Sequence, residues 1–298
     1  MNPLVSIIIP NYNHKPYLQE RLDSVFGQTF QDFEVILLDD ASIDGSQEVL
    51  QHYKGHPKVS HLVLNKENTG SPFKQWQKGI NLAKGTYIWI AESDDYCEPD
   101  FLEKLLKVSH TKTVLAYCAS IIIDNNGKEK GRHKWADALE KNRWKNNFHN
   151  QGEAEIRNFL RYRNCITNAS AVLFKKSAIS GVSMPINMKF CGDWYIWIEI
   201  LKQGNLAYIS EPLNYFRRHE ASTRTQQSFQ REKMRFCEYF TIISANSSLL
   251  RRIKEIRKYD WILDEWHKKK ITFEKFNFFN LKMPIELLIR YLIKYKGL

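Results

Sequence analysis

The first hundred residues alternate short apolar segments with segments of helical spacing, and this alternation limits the fold more than any other feature. Four apolar segments have the length and the β-branched or aromatic character of buried strands. They are residues 4–10, 33–38, 59–64 and 87–91. Between them, side chains such as Leu18, Leu22 and Val25 share one helical face. The pattern predicts an α/β fold with a mostly parallel sheet, helices on both faces and ligands at the carboxyl ends of the strands.

Polar residues follow three of the four predicted strands. They occupy residues 10–13, 39–40 and 92–95. The last group brings three carboxylates, Glu92, Asp94 and Asp95, directly after a buried strand. Such a cluster costs free energy unless a positive charge neutralises it, and a divalent cation that carries phosphate oxygens would do so. A solvated acidic turn is the alternative that this segment leaves open.

Composition places the chain among ordinary globular proteins. It has 298 residues, of which 43% are hydrophobic and 26% are charged. It lacks the run of about 20 apolar residues that would span a membrane. We expect no secretory signal, because no basic segment followed by an apolar one opens the chain. The five cysteines are scattered, which argues against a disulfide framework or a zinc knuckle and favours a reduced, cytoplasmic protein.

Several common nucleotide-binding and hydrolytic motifs are missing from the sequence. It contains neither Gly-x-Gly-x-x-Gly nor the P-loop pattern Gly-x-x-x-x-Gly-Lys-Ser/Thr. It also lacks Gly-x-Ser-x-Gly and His-Glu-x-x-His, the patterns of many serine hydrolases and zinc proteases. Binding of a diphosphate through carboxylates and a metal fits this chain better than binding through a glycine-rich loop.

Six short segments stand in order before the acidic cluster. They are Val-Ser-Ile-Ile-Ile-Pro-Asn-Tyr-Asn at 5–13, Gln-Thr-Phe at 28–30, residues 33–46, Asn-Thr-Gly at 68–70, Lys-Gly-Ile at 78–80 and residues 83–88. As a set they resemble family 2 glycosyltransferases, almost continuously over residues 4–108 and then in islands near residues 192–193 and 217–222. The resemblance implies a GT-A fold, which is a Rossmann-like mixed sheet flanked by helices. It also implies a nucleotide-sugar donor, Mg²⁺ or Mn²⁺ as cofactor, and inversion at the anomeric carbon.

The resemblance assigns the donor nucleotide to the ends of the first two strands. Pro10, Tyr12 and Asn13 match the turn beside the nucleobase. Asp39 and Asp40 match the acidic pair that hydrogen-bonds the base, although these aspartates would also serve to cap a turn.

The acidic cluster matches the Asp-x-Asp region of the family. Glu92 stands where aspartate is commoner, on the side of the ribose, and Asp94 and Asp95 keep the metal and diphosphate role. Spacing does not tell which of the two aspartates contacts the metal. The resemblance also carries Gly70 and Lys78 over to the donor site.

One departure from the family pattern affects the expected donor contacts. Residues 75–77 are Gln-Trp-Gln, where many relatives have Ala-Arg-Asn. A basic contact to the donor is therefore either lost or supplied by Lys74 or Lys78.

Glycosyl transfer also needs a base that takes the proton from the attacking hydroxyl. Asp193 stands at the start of a predicted helix whose apolar face includes Trp194, Trp197 and Leu201. Aspartate is a preferred residue at helix starts whatever its function, so spacing alone leaves the role open. The family has its catalytic aspartate at this point of the chain, and the resemblance therefore implies that Asp193 is the base.

The segment Arg217-Arg218-His219 carries further groups suited to a diphosphate. Arginine is a good phosphate ligand, and neutral histidine often binds metals. The family has an Arg-x-His-x-x-Ser stretch that closes over the diphosphate. The resemblance implies that His219 binds the metal or the pyrophosphate and that Arg217 and Arg218 contact phosphate. An exposed basic turn is the alternative.

We predict two regions: a catalytic domain at residues 1–224 and a basic helical extension at residues 225–298. The first divides into a nucleotide-sugar-binding part, 1–108, and an acceptor part, 109–224. The extension carries 16 lysines and arginines against eight acidic residues, whereas the net charge of the whole chain is +11. Within the acceptor part, residues 164–174 resemble the strand that borders the acceptor pocket in the family, with Asn168 and Ser170 as expected contacts. The sequence does not identify the acceptor.

The last predicted helix begins near Pro284. Its apolar side chains follow helical spacing, at residues 285, 288, 289, 292 and 293. A helix of this kind suits either a peripheral contact with the inner face of the membrane or packing on the protein or on a second copy. The sequence leaves these alternatives open, and with them the oligomeric state.

The sequence thus predicts a metal-dependent inverting glycosyltransferase of bacterial surface polysaccharide synthesis. Its partners would be a nucleotide-sugar, UDP-linked by resemblance, and a glycan or lipid-linked glycan acceptor, with no nucleic acid. The alternatives are a nucleotidyltransferase, which would also use carboxylate-bound metal, and a non-catalytic basic module that binds membrane or nucleic acid.

Overall fold

The computed structural model describes residues 2–219, 228–272 and 283–297. The strands are β1 (Val5–Asn11), β2 (Phe33–Asp39), β3 (Val59–Leu64), β4 (Tyr87–Ile90), β5 (Tyr96–Cys97), β6 (Thr113–Ile123), β7 (Glu129–Arg132), β8 (Phe148–Gln151), β9 (Val172–Lys175) and β10 (Asn205–Arg217). The helices are α1 (Lys15–Phe26), α2 (Ser46–Gln51), α3 (Pro72–Leu82), α4 (Phe101–Val108), α5 (Gly152–Glu155), α6 (Gly192–Leu201), α7 (Phe229–Asn246), α8 (Leu249–Lys254), α9 (Asp260–Thr272) and α10 (Ile285–Lys296).

In the described residues the strands form one mixed sheet. Its main order is β3-β2-β1-β4-β9-β6-β10-β5, with β7 beside β6 and β8 beside β10. β1 pairs in parallel with β2 and β4, so that Ile7 lies between Val35 and Trp89. β9 runs antiparallel to both β4 and β6, and β10 is parallel to β6. The carboxyl ends of β1, β2, β4 and β10 therefore meet at one edge of the sheet.

Both faces of the sheet are covered, because side chains along a strand alternate between its faces. On β1, Ile7 and Ile9 join the apolar cluster under α1 and α4, whereas Ile8 joins the cluster under α3 and α6. A side chain at Gly79 would put its Cβ 2.4 Å from Ile8, so this glycine lets α3 lie close on the sheet. Burial on both faces explains why the strands read as continuous apolar runs.

The predicted α/β fold of the GT-A type is confirmed, and the predicted strands and helices of the first 108 residues are all present with small shifts of their ends. The second half departs from the prediction in detail. Of the expected strand at 164–174, only the end is a strand, because residues 169–171 form a helical turn. The 13-residue strand β10 was not predicted. Its last residue, Arg217, lies at the edge of the sheet where the carboxyl ends of β1, β2 and β4 also lie.

The predicted helical extension is confirmed for residues 228–272 and 283–297. Its helices bury Phe236, Ile243, Trp266 and Tyr291 in the same apolar cluster that contains Trp197 of α6. The extension therefore packs on the face of the sheet that also carries α3. The predicted boundary at 224–225 falls in residues 220–227, outside the described ranges.

The last helix is present, and it packs on the protein through a face other than the apolar one identified in the sequence. Leu287 and Tyr291 are its buried apolar side chains, while Ile285, Ile289 and Ile293 are exposed to 61%, 51% and 52%. Within the described ranges, every helix is too short or too polar to cross a bilayer.

Candidate active site

Two adjoining cavities open at the carboxyl edge of the sheet. The first, about 370 Å³, is lined among others by Pro10, Tyr12, Asp40 and Gly70. The second, about 410 Å³, is lined by residues of the acidic turn after β4 and by the start of α6, among them Glu92, Asp94, Asp95 and Asp193. His14, Pro72 and Glu92 line both cavities, so the two are continuous.

Asp40 faces the first cavity and is held in place by a network of donors. Its Oδ1 accepts hydrogen bonds from the side chains of Asn65 and Gln75, both at 2.8 Å, and from the backbone N–H of Thr69 at 3.0 Å. Gln75, one of the residues at which the chain departs from the family pattern, thus binds this carboxylate. The arrangement fixes Asp40 at the rim of the cavity with its backbone at the end of β2.

Asp39 has a different environment from Asp40. It is completely buried and accepts hydrogen bonds from Asn11, from the backbone N–H of Ser42 and from Gln47, at 2.8 to 2.9 Å. It does not line either cavity. These contacts favour the turn-capping alternative for Asp39 and leave Asp40 as the aspartate of the pair that faces a ligand.

The three carboxylates of the acidic turn have distinct surroundings. Glu92 accepts a hydrogen bond of 2.8 Å from the indole N–H of Trp76, so the two departures from the family pattern contact each other. Burial, with the charge of Asp94, raises the pKa of Glu92 to about 8. Asp95 is buried and accepts hydrogen bonds from the backbone N–H of Arg217 at 2.8 Å and from Asn168 at 3.1 Å. Burial, again with the charge of Asp94, raises the pKa of Asp95 to about 7.

Asp94 lies with two histidines. Its Oδ2 is 3.0 Å from Nε2 of His219, and the ring of His14 packs edge-on against that of His219 with centroids 5.3 Å apart. One ligand atom from each of the three residues lies within 4.8 Å of the others. Burial opposes ionisation of Asp94, but the neighbouring His14 and His219 hold its pKa below the usual value. Burial lowers the pKa of His14, which favours the neutral imidazole that metals bind.

The three predicted metal ligands do not form one group. Asp94 and His219 lie together, whereas the carboxylate of Asp95 accepts hydrogen bonds from protein donors. His14 was not predicted, although a histidine directly after the polar turn that ends the first strand is a readable signal. A donor set of one carboxylate and two imidazoles suits a divalent transition metal such as Mn²⁺, with the remaining ligand positions open to phosphate oxygens.

Two buried arginines, Arg217 and Arg21, donate hydrogen bonds to backbone oxygens of the acidic turn. Arg217 donates from Nε to the backbone oxygen of Asp94 at 2.8 Å and from Nη1 to that of Asp124 at 3.0 Å, and its Nη2 pairs with Glu20. These contacts give Arg217 a positioning role. Arg217 also lines the second cavity, so its contact with phosphate stays a prediction. Arg21 was also missed: it is fully buried and donates to the backbone oxygen of Glu92 at 2.9 Å. The sequence signal that could have identified Arg21 is its position as a charged residue on the apolar face of α1.

The other predicted donor residues divide into those that line a cavity and those that shape its walls. Pro10, Tyr12 and Gly70 line the first cavity, and the exposed Arg218 lines the second. Asn13 has a positive φ of 56° and accepts a hydrogen bond from the backbone of residue 43, so it shapes the turn after β1. Lys78 lies outside both cavities and donates to Asn65 at 2.5 Å.

Asp193 lies in the first turn of α6 and lines the second cavity but not the first. Its Oδ1 accepts the backbone N–H of Trp194 at 2.7 Å, and its Oδ2 accepts a hydrogen bond of 3.1 Å from Asn164. The amino end of a helix favours negative charge at this position. Gly192 lets the helix approach α3, because a Cβ there would lie 2.6 Å from the ring of Phe73.

A carboxylate of the extension holds the segment just before Asp193. Glu238 of α7 accepts hydrogen bonds from three successive backbone N–H groups, those of Lys189, Phe190 and Cys191, at 2.8 to 2.9 Å. Only 7% of Glu238 is exposed. The extension therefore fixes the entry to the helix that carries Asp193.

Comparison with known proteins agrees with this arrangement. The family model described as Glycosyl transferase family 2 matches residues 6–179. TuaG of Bacillus subtilis (strain 168), whose name provisionally assigns it to teichuronic acid biosynthesis, is 27% identical over 69% of this chain and 75% of its own length. Chondroitin synthase of Escherichia coli is 37% identical over 42% of this chain but only 18% of its own length.

Solved structures show the same fold. TarS of S. aureus, residues 1–349, in complex with UDP-GlcNAc superposes with a TM-score of 0.63 at 18% identity, over 98% of this chain and 79% of that one. Since the family model matches more than half of the sequence, the chain belongs to glycosyl transferase family 2, and the protein is a glycosyltransferase.

Proposed function

We propose that the protein is a metal-dependent inverting glycosyltransferase that moves a sugar from a UDP-sugar to an acceptor hydroxyl in bacterial surface polysaccharide synthesis. The observation that carries the proposal is the grouping of Asp94, His14 and His219. Asp94 and His14 of this group line the cavity that Asp193 also lines. TarS is described in complex with UDP-GlcNAc, and TuaG is named for teichuronic acid biosynthesis, so both support the proposal.

The first cavity suits the nucleoside. Besides Asp40, its wall carries the amide oxygens Asn11 Oδ1 and Gln75 Oε1, which are buried and lack a hydrogen-bond partner within the described residues. A buried acceptor without a donor is costly, and a nucleobase N–H would satisfy one. Tyr12, which is 46% exposed at the rim, offers a ring face to a base.

The second cavity suits the diphosphate and the sugar. Asp94, His14 and His219 would hold the divalent cation, which when bound would supply positive charge to the departing diphosphate. A further observation favours a cation here. Burial, together with the charge of Asp94, raises the pKa of both Glu92 and Asp95, so a bound cation would favour ionisation of this turn.

Asp193 would act as the base. It takes the proton from the acceptor hydroxyl as the oxygen attacks the anomeric carbon, while the bond to the diphosphate breaks. Because the base and the leaving group stand on opposite sides of the sugar, one displacement inverts the anomeric centre. Asn164 and the backbone of Trp194 orient the carboxylate for this proton transfer.

Slow hydrolysis of the donor tests the proposal without knowledge of the acceptor. Release of nucleoside diphosphate would be measured from a panel of UDP-, GDP- and dTDP-sugars, with Mg²⁺, with Mn²⁺ and with EDTA. We expect release from UDP-sugars that EDTA abolishes. Equal release with EDTA would contradict the metal, and release only from another nucleotide would contradict UDP.

Asp193→Asn separates binding from chemistry. We expect UDP affinity to change less than about twofold and hydrolysis to fall by at least about 10²-fold, the usual contribution of a positioned base. Weakened UDP binding with hydrolysis intact would refute the base assignment.

We also propose a peripheral contact between the extension and an anionic membrane surface. Six exposed aliphatic side chains lie on α8 and α10, which contact each other through the ion pair of Arg252 and Glu286. They are Leu249, Leu250, Ile253, Ile285, Ile289 and Ile293. Exposed Arg251, Lys254 and Lys296 accompany them, and this combination of apolar and basic side chains complements anionic lipid headgroups.

Flotation with vesicles tests this contact. We expect the protein to float with phosphatidylglycerol vesicles and not with phosphatidylcholine vesicles, and Ile289→Asp to abolish flotation. Ile43→Asp is the matched control, because Ile43 is 91% exposed on another part of the surface. Unchanged flotation of Ile289→Asp would refute the contact, and a change of oligomeric mass would instead assign this face to a second copy.

A further inference from the structure

A third cavity lies beyond Asp193, between the sheet domain and the extension. It measures about 270 Å³, close to the lower end of pockets that hold small ligands, about 300 Å³. Thr167, Phe190, Asp193 and Arg218 line both this cavity and the second one. The three cavities therefore form one continuous path, with Asp193 at the junction of the second and third.

One wall of the third cavity is a chain of aromatic rings. Trp135, Trp261, Tyr239 and Trp194 line it and contact one another in that order, edge to face, with centroids 6.1, 5.3 and 6.1 Å apart. Arg163 stacks on Trp135 and Trp261, with its guanidinium 4.0 and 4.6 Å from the ring centres. Trp135 remains 36% exposed. The wall is thus closely packed and apolar, and Trp135 is its exposed end.

Most of the remaining lining is polar, apart from Phe190 and Cys191. Thr167 Oγ1 lies 3.1 Å from Nδ1 of His133, and Asn164 holds Asp193. At the rim, Arg235 pairs with Glu265 at 2.8 Å, so these two charges neutralise each other. A wall of rings facing hydroxyl, amide and imidazole groups suits a ligand with one apolar face and a polar edge.

We infer that the third cavity binds a pyranose ring of the acceptor, with its C–H face on the aromatic wall and a hydroxyl directed to Asp193. A pyranose has such a flat apolar face, whereas an open-chain polyol has none that is fixed. Because Tyr239 and Trp261 belong to α7 and α9, the extension takes part in acceptor recognition. The inference rests on the proposed function, since it assumes that Asp193 is the base.

Fluorine NMR of the full chain labelled with 5-fluorotryptophan tests the inference. Methyl β-D-glucopyranoside and methyl N-acetyl-β-D-glucosaminide are the ring probes, and ribitol is the open-chain probe, each added in the presence of UDP and Mn²⁺. Trp135→Phe and Trp261→Phe assign the two signals by removing them. We expect at least one ring probe to shift both signals saturably, with a Kd in the millimolar range, while ribitol leaves them unchanged.

A shift of equal size with ribitol, or no shift of these two signals with either ring probe, would overturn the inference. The signals of tryptophans outside the cavity, such as the buried Trp89, report any general effect of the additives. Donor hydrolysis is measured on the same protein preparation, with a UDP-sugar in place of UDP. Hydrolysis without a ring-specific shift would refute the inference alone, whereas loss of metal-dependent hydrolysis would refute the proposed function.

Discussion

Glu238 provides the sharpest test of how the extension supports catalysis. It touches no ligand cavity, yet its two carboxylate oxygens accept the backbone N–H groups of residues 189–191, directly before α6. Removing it should release this segment and so displace Asp193. A displacement of about 1 Å in a catalytic group can cost about 10²-fold in rate.

The size of the effect on stability follows from the exposure of the three donors. Cys191 is buried, so its N–H would lose its acceptor without gaining water, at about 1–3 kcal/mol. Lys189 is exposed and Phe190 is half-buried, so their N–H groups can recover water and cost about 0.5–1 kcal/mol each. For Glu238→Ala we therefore expect a loss of about 2–5 kcal/mol. Glu238→Gln keeps one oxygen and should lose about 1–2 kcal/mol.

The assay combines thermal unfolding with donor hydrolysis below the melting temperature. We expect Glu238→Gln to lower kcat by about tenfold to 10²-fold while UDP affinity changes less than about twofold. Glu286→Gln is the matched control, because Glu286 is equally buried in the extension but pairs with Arg252 away from the cavities. It should lower stability and leave kcat unchanged. Unaltered kcat in Glu238→Gln, with reduced stability, would show that the contact is only structural.

Three further predictions follow from other contacts. His14→Ala should weaken Mn²⁺ binding by about tenfold or more, measured by electron paramagnetic resonance in the presence of UDP, and unchanged affinity would remove His14 from the metal site. Arg143→Ala should lower the free energy of unfolding by about 3–5 kcal/mol, because it leaves the buried Glu155 carboxylate without its partner at 2.6 Å. Burial opposes ionisation of Asp260, but Arg290 holds its pKa below the usual value, so α10 should be bound at neutral pH and released as pH falls below about 4.

Controls make these outcomes decisive. His56→Ala removes a histidine that packs on Phe26 outside the cavities and should leave Mn²⁺ binding unchanged. Lys202→Ala breaks an exposed ion pair and should cost less than about 1 kcal/mol. Release of α10 would be followed by proteolysis across the acid range, and protection that persists below pH 3 would contradict the role of the ion pair.

Much of the structure of the first hundred residues could be predicted, because there the apolar runs that mark strands are followed directly by the polar residues that mark a ligand site. Each parallel strand is buried on both faces, so it reads as an apolar run, and its carboxyl end carries the polar groups. The acidic turn and Asp40 were found in this way, whereas Asp193 was assigned from the resemblance to the family. Local sequence could not separate Asp94 from Asp95, because that difference arises from Asn168 and Arg217, which are distant in the chain.

The second half could not be predicted as well, for physical reasons. β10 contains Glu211 and Pro212 and is irregular, so it lacks the even alternation of a strand. Arg217 has the appearance of a phosphate ligand, and only the fold shows that backbone oxygens occupy its guanidinium. The contribution of the extension to the third cavity depends on how α7 and α9 pack on α6, which no local pattern encodes.

We propose that a divalent cation and a nucleoside diphosphate share the site at Asp94, with Asp193 on the other side of the sugar. Anomalous diffraction from crystals grown with UDP and Mn²⁺ would locate both groups. We expect one manganese peak within bonding distance of Asp94 and His219, joined to the diphosphate, with the uracil near Asp40. A manganese peak away from Asp94, or UDP bound outside the first cavity, would contradict this arrangement.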